Sequence, residues 1–257
     1  MQGRKALVTG GASGIGKATA RRLLAEGGAV VIADANGRAI EEALRELEPS
    51  GPVSGLVVDV TDWAQVESGV REAAGRLGGL DILVTSAGVS HQATAWETRL
   101  EDWNRVLAVN LTGTFLCVRA AAPLMIDRRW GRVVMLASIT GSHVWSGRAA
   151  YAASKGGVLA LAKACAADLA EHGVTVNSVS PGPIATPQTA GLHSKTIRDK
   201  VESQTPMRRY GTPEEVAAVI AFLCSEDARF VTGHDLRVDG GLTATAILYD
   251  LKRDPAP

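Results

Sequence analysis

Tyr151 and Lys155 stand four residues apart in the stretch Tyr151-Ala152-Ala153-Ser154-Lys155. On a helix, positions i and i+4 share a face. A free tyrosine titrates near about 10, too high to act as a base at neutral pH. An ammonium beside it favours the phenolate and lowers that value. Such a pair can take a proton from an alcohol or give one to a ketone. The same pair occurs by chance in many helices, so its meaning depends on its setting.

A second chemistry-bearing segment lies near the start. An apolar run ends at Thr9, and Gly10-Gly11-Ala12-Ser13-Gly14-Ile15-Gly16 opens an amphipathic stretch. Gly10 suits a tight turn, Gly14 lets a pyrophosphate approach the backbone, and Gly16 lets a helix pack closely on a sheet. The helix N-terminus offers free N–H groups and a partial positive charge to phosphates. The position, after a strand and before a helix, is the one a dinucleotide-binding turn requires.

Asp34 closes the next apolar run, Val31-Ile32-Ala33-Asp34. An acid about 20 residues past the glycines is placed to bind the ribose 2′-OH. It would repel a 2′-phosphate, and Ser13 and Ala35 stand where a phosphate site would want Arg or Lys. Arg38 is further along. The expected cofactor is NAD rather than NADP; the alternative role for Asp34 is to cap the following helix. After the third strand, Asp59 could accept the adenine amino group with Val60 beside the ring, or cap the helix after Thr61.

The elements that must position these residues alternate along the chain. Short apolar runs at Lys5–Thr9, Ala29–Ala33, Gly55–Val58, Ile82–Thr85, Arg132–Ala137, Val174–Ser180 and Asp235–Val238 read as strands. Amphipathic stretches at Gly16–Glu26, Arg38–Leu47, Ala64–Leu77, Leu100–Arg129, Ala150–His172 and Pro213–Ser225 read as helices. Strands apolar on both faces belong to a parallel sheet covered on both sides. The expected fold is α/β, a doubly wound parallel sheet of Rossmann type, as a single NAD-binding domain over 1–257. Pro181–Arg209 breaks the pattern, with four prolines and weak periodicity. Long loops are often functional, so 183–209 is read as a substrate lid, or else a surface excursion. The tail 242–257 follows the last strand. Its apolar part, Ile247-Leu248-Tyr249, could dock on a neighbouring subunit.

Bulk composition excludes other classes. Apolar residues are 46% and charged residues 21%, as in a globular protein. Lys+Arg and Asp+Glu are both 27, so no charge excess draws the chain to nucleic acid or an anionic membrane. No apolar run reaches about 18 residues, and the N-terminus shows no secretion signal, so a cytoplasmic protein is expected. Cys117, Cys165 and Cys224 are too scattered for a disulfide framework and read as small hydrophobes. The five histidines show no ligand spacing, so no metal site is expected.

Taken together, the constellation resembles the short-chain dehydrogenase/reductase family over about residues 3–241. The matching pieces are Thr9 to Gly16, Asp59-Val60, Ala87-Gly88, Asn110, Ser138, Tyr151 with Lys155, Asn177 to Gly182, and Val238-Asp239-Gly240-Gly241. One departure is Thr85-Ser86-Ala87-Gly88, where relatives often carry Asn-Asn-Ala-Gly. The resemblance implies an NAD-dependent interconversion of a secondary alcohol and a ketone. Tyr151 would be the acid/base, and Lys155 would lower its pKa and bind the nicotinamide ribose. Ser138 would hydrogen-bond the substrate oxygen, and Asn110 would hold a water in a proton relay. Ser13 and Ile15 belong to the glycine turn, and Ala87 and Gly88 would lie on the adenosine side. Pro181, Gly182, Ile184 and Thr186 would flank the nicotinamide.

His91, His143 and Trp145 follow the matching segments and could border the substrate, or play ordinary packing and surface roles. The resemblance also implies a homotetramer, with a dimer as the smaller assembly. Two other readings share most of these features. One is a 3-oxoacyl-[acyl-carrier-protein] reductase, with Arg128-Arg129 as a patch for the carrier. The other is a non-catalytic dinucleotide sensor.

Overall fold

The computed structural model describes residues 1–245 and 248. Seven strands form one sheet: β1 (Lys5–Thr9), β2 (Ala29–Asp34), β3 (Val53–Val57), β4 (Ile82–Thr85), β5 (Gly131–Leu136), β6 (Val174–Pro181) and β7 (Asp235–Val238). The helices are α1 (Gly14–Ala25), α2 (Gly37–Leu47), α3 (Trp63–Leu77), α4 (Leu100–Leu107), α5 (Gly113–Arg128), α6 (Ala149–Leu169), α7 (Pro187–Leu192), α8 (Lys195–Gln204) and α9 (Pro213–Cys224). Every strand pairing is parallel, in the order β3-β2-β1-β4-β5-β6-β7. The order reverses between β1 and β4, and a doubly wound sheet opens its ligand crevice at that point.

Alternation along each strand divides the core in two. Ala6, Val8, Val30, Ile32, Ile82 and Val84 face Leu23 of α1, Ile40 of α2 and Ile220 of α9. Leu7, Val31, Leu83, Val133 and Met135 face Val66 of α3, Met125 of α5 and Val158 of α6. With both faces covered, β1, β2 and β4 are apolar except at their ends, which is why they read as apolar runs.

Three stretches differ from the sequence reading. Leu100–Arg129 is not one α-helix: a π-helical turn, Ala108–Thr112, separates α4 from α5. By length and composition Leu100–Arg128 could cross a membrane: it has 29 residues and contains an 18-residue window of mean hydropathy 1.4. In this fold its Val106, Leu116, Cys117, Ala121 and Met125 are buried, as in the core helix of a globular protein. The loop at 183–209 contains α7 and α8. Thr186 starts α7 through a capping box with Thr189, with Pro187 in the first turn, and Ser194 caps α8. Both helices are too short for a clear 3.6-residue period, but their caps were visible as Thr-Pro and Ser signals. Third, Cys165 is half-buried, whereas Cys117 and Cys224 are buried, and burial pushes both of those thiols up to about 12. The docking expected of Ile247-Leu248-Tyr249 falls outside the described residues except for Leu248.

Candidate active site

A cleft of about 490 Å³ opens over the carboxyl ends of the strands, at the switch between β1 and β4. The wall at one end holds Gly10, Ser13, Gly14, Ile15, Asp34, Asp59 and Val60; Ala87 and Gly88 follow. At the other end stand Ser138, Tyr151, Lys155, Pro181, Gly182, Ile184 and Thr186. Almost every nominated cofactor residue is thus brought into one groove.

Gly10 adopts φ +64°, and a Cβ there would lie 2.6 Å from the Ala87 amide nitrogen, so the β1 and β4 loops meet at this residue. Gly16 does not line the cleft. A Cβ on it would fall 2.1 Å from the Gly10 carbonyl oxygen, so α1 packs against its own approach loop. Gly14 differs: at φ +51° its nearest neighbour is Thr186 Cγ2, 3.7 Å from a built Cβ, and space lies open above it. Ser13 is exposed and its hydroxyl makes no cap hydrogen bond to α1. An open floor at Gly14, an uncommitted hydroxyl and a helix N-terminus fit a pyrophosphate.

The two carboxylates in the groove are not helix caps. Asp34 Oδ1 accepts the Asn36 amide at 3.1 Å, and Asn36 itself caps α2. Asp59 Oδ1 accepts the Thr61 amide at 2.9 Å and the Thr61 hydroxyl at 2.8 Å, and Asp62 caps α3. Each acid holds its loop in an Asx turn with one oxygen.

At the chemical end, Lys155 is 4% exposed, and its Nζ donates to the Leu136 carbonyl at 2.6 Å. Burial brings its pKa down to about 8. The ammonium is 5.8 Å from the centre of the Tyr151 ring. Ser138, at the end of β5, accepts the Thr140 amide at 3.2 Å. Burial raises the Tyr151 phenol above its ordinary value, against the pull of the Ser138 hydroxyl and the Arg148 charge. This departs from the sequence reading, which assigned a lowered value to Lys155. The reason is burial, which outweighs the Ser138 hydroxyl and the Arg148 charge; the Lys155 ammonium is bonded to the Leu136 carbonyl.

Asn110 is fully buried in the π turn. Its Oδ1 accepts the Val89 amide at 2.8 Å, and its Nδ2 donates to the Val89 carbonyl and to Ser154 Oγ, both at 3.0 Å. The side chain braces the β4 loop against α6. π turns recur at functional sites.

A smaller cleft of about 90 Å³ continues from Ser138 and Tyr151, bounded by Trp145, Arg148, Thr189, Leu192 and His193. Trp145 lies in this cleft with Ser138 and Tyr151. His91 and His143 do not line either cleft. His91 turns toward Asp102 of α4, with Nδ1 3.8 Å from the carboxylate. His143 is exposed in the turn after Gly141 and bonds the Ser142 hydroxyl at 3.0 Å. The sequence left open a substrate border or ordinary packing and surface roles, and the contacts seen are of the second kind. Arg148 and His193 were not singled out as cleft residues; for Arg148 the available signal was its place one turn before Tyr151.

Comparison with known proteins agrees with this geometry. A family profile described as enoyl-(acyl carrier protein) reductase matches residues 10–243. The chain is 39% identical over 243 residues to 3-oxoacyl-[acyl-carrier-protein] reductase of Thermotoga maritima, covering 94% of this chain and 98% of the relative. It is 38% identical over 242 residues to 2-dehydro-3-deoxy-L-rhamnonate dehydrogenase (NAD(+)) of a Sphingomonas species, covering 94% and 96%. The crystal structure of levodione reductase superposes with a TM-score of 0.91 at 34% identity, covering 95% of this chain and 99% of that one. Matches of this extent, over a sheet that places Tyr151 and Lys155 at the end of a glycine-floored groove, establish that the chain belongs to the short-chain dehydrogenase/reductase family of oxidoreductases.

Proposed function

We propose that this oxidoreductase interconverts a secondary alcohol and a ketone with NAD in preference to NADP, and that Tyr151 moves the proton. The observation that carries the reading is a single groove with Asp34 at one end and Ser138, Tyr151 and Lys155 at the other. When bound, the nicotinamide ring supplies or accepts the hydride. Gly14, Ser13 and the α1 N-terminus hold the pyrophosphate. Asp34 takes the ribose hydroxyls with its remaining oxygen, and Asp59, Val60, Ala87 and Gly88 border the adenosine. Pro181, Gly182, Ile184 and Thr186 flank the nicotinamide. Ser138 donates to the substrate oxygen, which sets it against the Tyr151 hydroxyl. Lys155 binds ribose hydroxyls, and Asn110 keeps the β4 loop and α6 in register.

Asp34 supports NAD because the one cation close in sequence, Arg38, is paired with Glu42 at 3.1 Å. Asp34→Ala is expected to lower the ratio of kcat/KM for NAD over NADP by about 10-fold or more, the scale of one lost charge-assisted hydrogen bond. A panel of polyols, cyclic alcohols, hydroxysteroids and 3-oxoacyl compounds, run with both cofactors by NADH absorbance, checks this together with the reaction class. An unchanged ratio rejects the assignment of Asp34. NADH binding without turnover of any alcohol or ketone rejects the enzyme and favours a dinucleotide sensor.

The pH dependence follows from the direction of the Tyr151 shift. A phenol held above its ordinary value is protonated at neutral pH, ready to act as an acid. Oxidation needs the phenolate, so its kcat/KM should climb by up to about 10-fold per unit through pH 7–9, while reduction stays flat over pH 6–8. A pH-independent oxidation rate across that range would remove Tyr151 as the base.

The 3-oxoacyl-[acyl-carrier-protein] reductase reading is favoured by the name of the Thermotoga relative. Asp34 weighs against it, and so do the arginines: Arg128 lies 3.5 Å from Asp81, and Arg129 donates to the Glu171 carbonyl at 3.0 Å. We further propose a homotetramer located in the cytoplasm. Residues 183–209 serve as the substrate lid, with α7 laying Thr189 and Leu192 beside Tyr151.

A further inference from the structure

Arg148 has no part in the scheme above except through its charge. It is the N-cap of α6, three residues before Tyr151, and both residues line the same small cleft. Its guanidinium donates to Ser90 Oγ at 2.5 Å, and the adjoining backbone is pinned where the Ala93 amide donates to the Gly147 carbonyl at 3.1 Å. The charge is therefore held in place at the wall of the 90 Å³ cleft.

No carboxylate pairs with it among the described residues. The acids on the segment after Ser90 are engaged elsewhere: Glu97 with the Thr94 hydroxyl, Glu101 with Arg99, and Asp102 with His91 and Arg105. The lining of the small cleft contains no acid at all. The acids of the larger groove, Asp34 and Asp59, sit at its cofactor end, with Lys155 on the Tyr151 side. The Arg148 charge also reaches the other side of the small cleft, where it holds the His193 imidazole below its usual value, second to burial. His193 is thus a neutral wall, with Nδ1 2.8 Å from the Tyr210 hydroxyl. The substrate end is positive and lacks a counter-ion.

A guanidinium has five donors in a planar fork, and Ser90 uses one. A partly desolvated cation without a partner is costly, and the fork matches a carboxylate through two parallel hydrogen bonds. We propose that Arg148 anchors a carboxylate of the substrate, so that the substrate is a small hydroxy acid and the product the corresponding oxo acid. The inference rests on the alcohol–ketone reading of Tyr151. In the oxidation, the carbinol C–H bond breaks with its electron pair passing as hydride to the oxidised nicotinamide. The O–H proton passes to the Tyr151 phenolate, which becomes the phenol, the C=O bond forms, and the carboxylate is unchanged. With Arg148 and Tyr151 on one cleft of about 90 Å³, the acid group is kept within a few bonds of the reacting carbon. An acyl thioester on a carrier has no such carboxylate.

The test uses the full chain with NAD and matched pairs of equal shape: 2-hydroxybutyrate, 3-hydroxybutyrate and 4-hydroxypentanoate, each against its amide. At least one acid should exceed its amide in kcat/KM by about 30- to 100-fold, the scale for one partner of a desolvated charge pair. Arg148→Gln should collapse that preference, and Arg148→Lys should restore part of it, with Tm monitoring the fold. Should Arg148→Gln not fold, the wild-type enzyme still decides: propanoate should compete with the substrate, and propanamide should not. Amides turned over as well as acids, a phosphorylated alcohol preferred to every carboxylate, or an equal loss on acid and amide in Arg148→Gln would overturn the anchor. Turnover of neutral alcohols alone overturns Arg148 and leaves the role of Tyr151 standing. No turnover of any alcohol, with NADH bound, overturns the underlying reading.

Discussion

Tyr151→Phe is expected to lower kcat by about 10²- to 10⁴-fold, the range for loss of a positioned acid/base, while the Kd for NADH moves only a few-fold. Phenylalanine keeps the ring and deletes only the hydroxyl. What disappears is the proton donor in reduction and the acceptor in oxidation. Ser138 remains, but a serine hydroxyl cannot carry a proton away at neutral pH. The phenol is also where the opposing influences meet: burial raises it, and Ser138 and Arg148 pull it down. Loss of the hydroxyl should therefore also remove the rise of oxidation with pH. Kinetics in both directions across pH 6–9, with NADH fluorescence for binding, check the result. A variant keeping more than about a tenth of wild-type kcat would place the proton transfer elsewhere. Residues of one catalytic unit do not add, so Tyr151→Phe combined with Ser138→Ala should lose little beyond the single change.

Gly16→Val should abolish measurable NADH binding and lower Tm, because even its first carbon would lie 2.1 Å from the Gly10 carbonyl oxygen. That oxygen belongs to backbone, so no side chain can swing aside. Either α1 lifts from the sheet or the turn opens, and Gly10 in turn stands against the Ala87 amide. Overpacking of this kind costs roughly 1–3 kcal/mol or more. Gly14→Ala separates fold from function. Its added carbon meets nothing closer than 3.7 Å, so the fold should lose only the strain of φ +51° while the phosphate floor is obstructed. Calorimetry and fluorescence titration should find Gly16→Val impaired in both properties and Gly14→Ala mainly in binding. Normal binding by Gly16→Val would mean that the turn does not hold the cofactor.

The residues that share the groove were readable from the chain because its parts are local. A glycine turn between strand and helix, an acid at the end of β2, and two residues one helical turn apart on α6 are defined by spacing along a few residues. Strand edges at Lys5–Thr9, Ile82–Thr85 and Asp235–Val238 matched the structure for the same reason: each apolar run stops where the chain leaves the sheet. The short helices α7 and α8 were missed because six and ten residues give too little period, although their caps were in view.

By itself, then, the sequence determined the parallel sheet, the glycine turn, Asp34 and the pairing of Tyr151 with Lys155 on one helix. Only the tertiary structure decided the charges around them. It turned the Lys155 ammonium onto the Leu136 carbonyl, gave the capping of α2 and α3 to Asn36 and Asp62, and led His91 and His143 away from the cleft. It also locked Asn110 between Val89 and Ser154, and brought Ser90 to Arg148 across 58 residues of chain. The physical reason is common to all of these. Which group a side chain meets depends on segments remote in sequence, and electrostatics in a desolvated cleft is set by those meetings. Spacing along the chain revealed a phenol and an ammonium on one helix; the fold revealed the uncompensated cation beside the phenol.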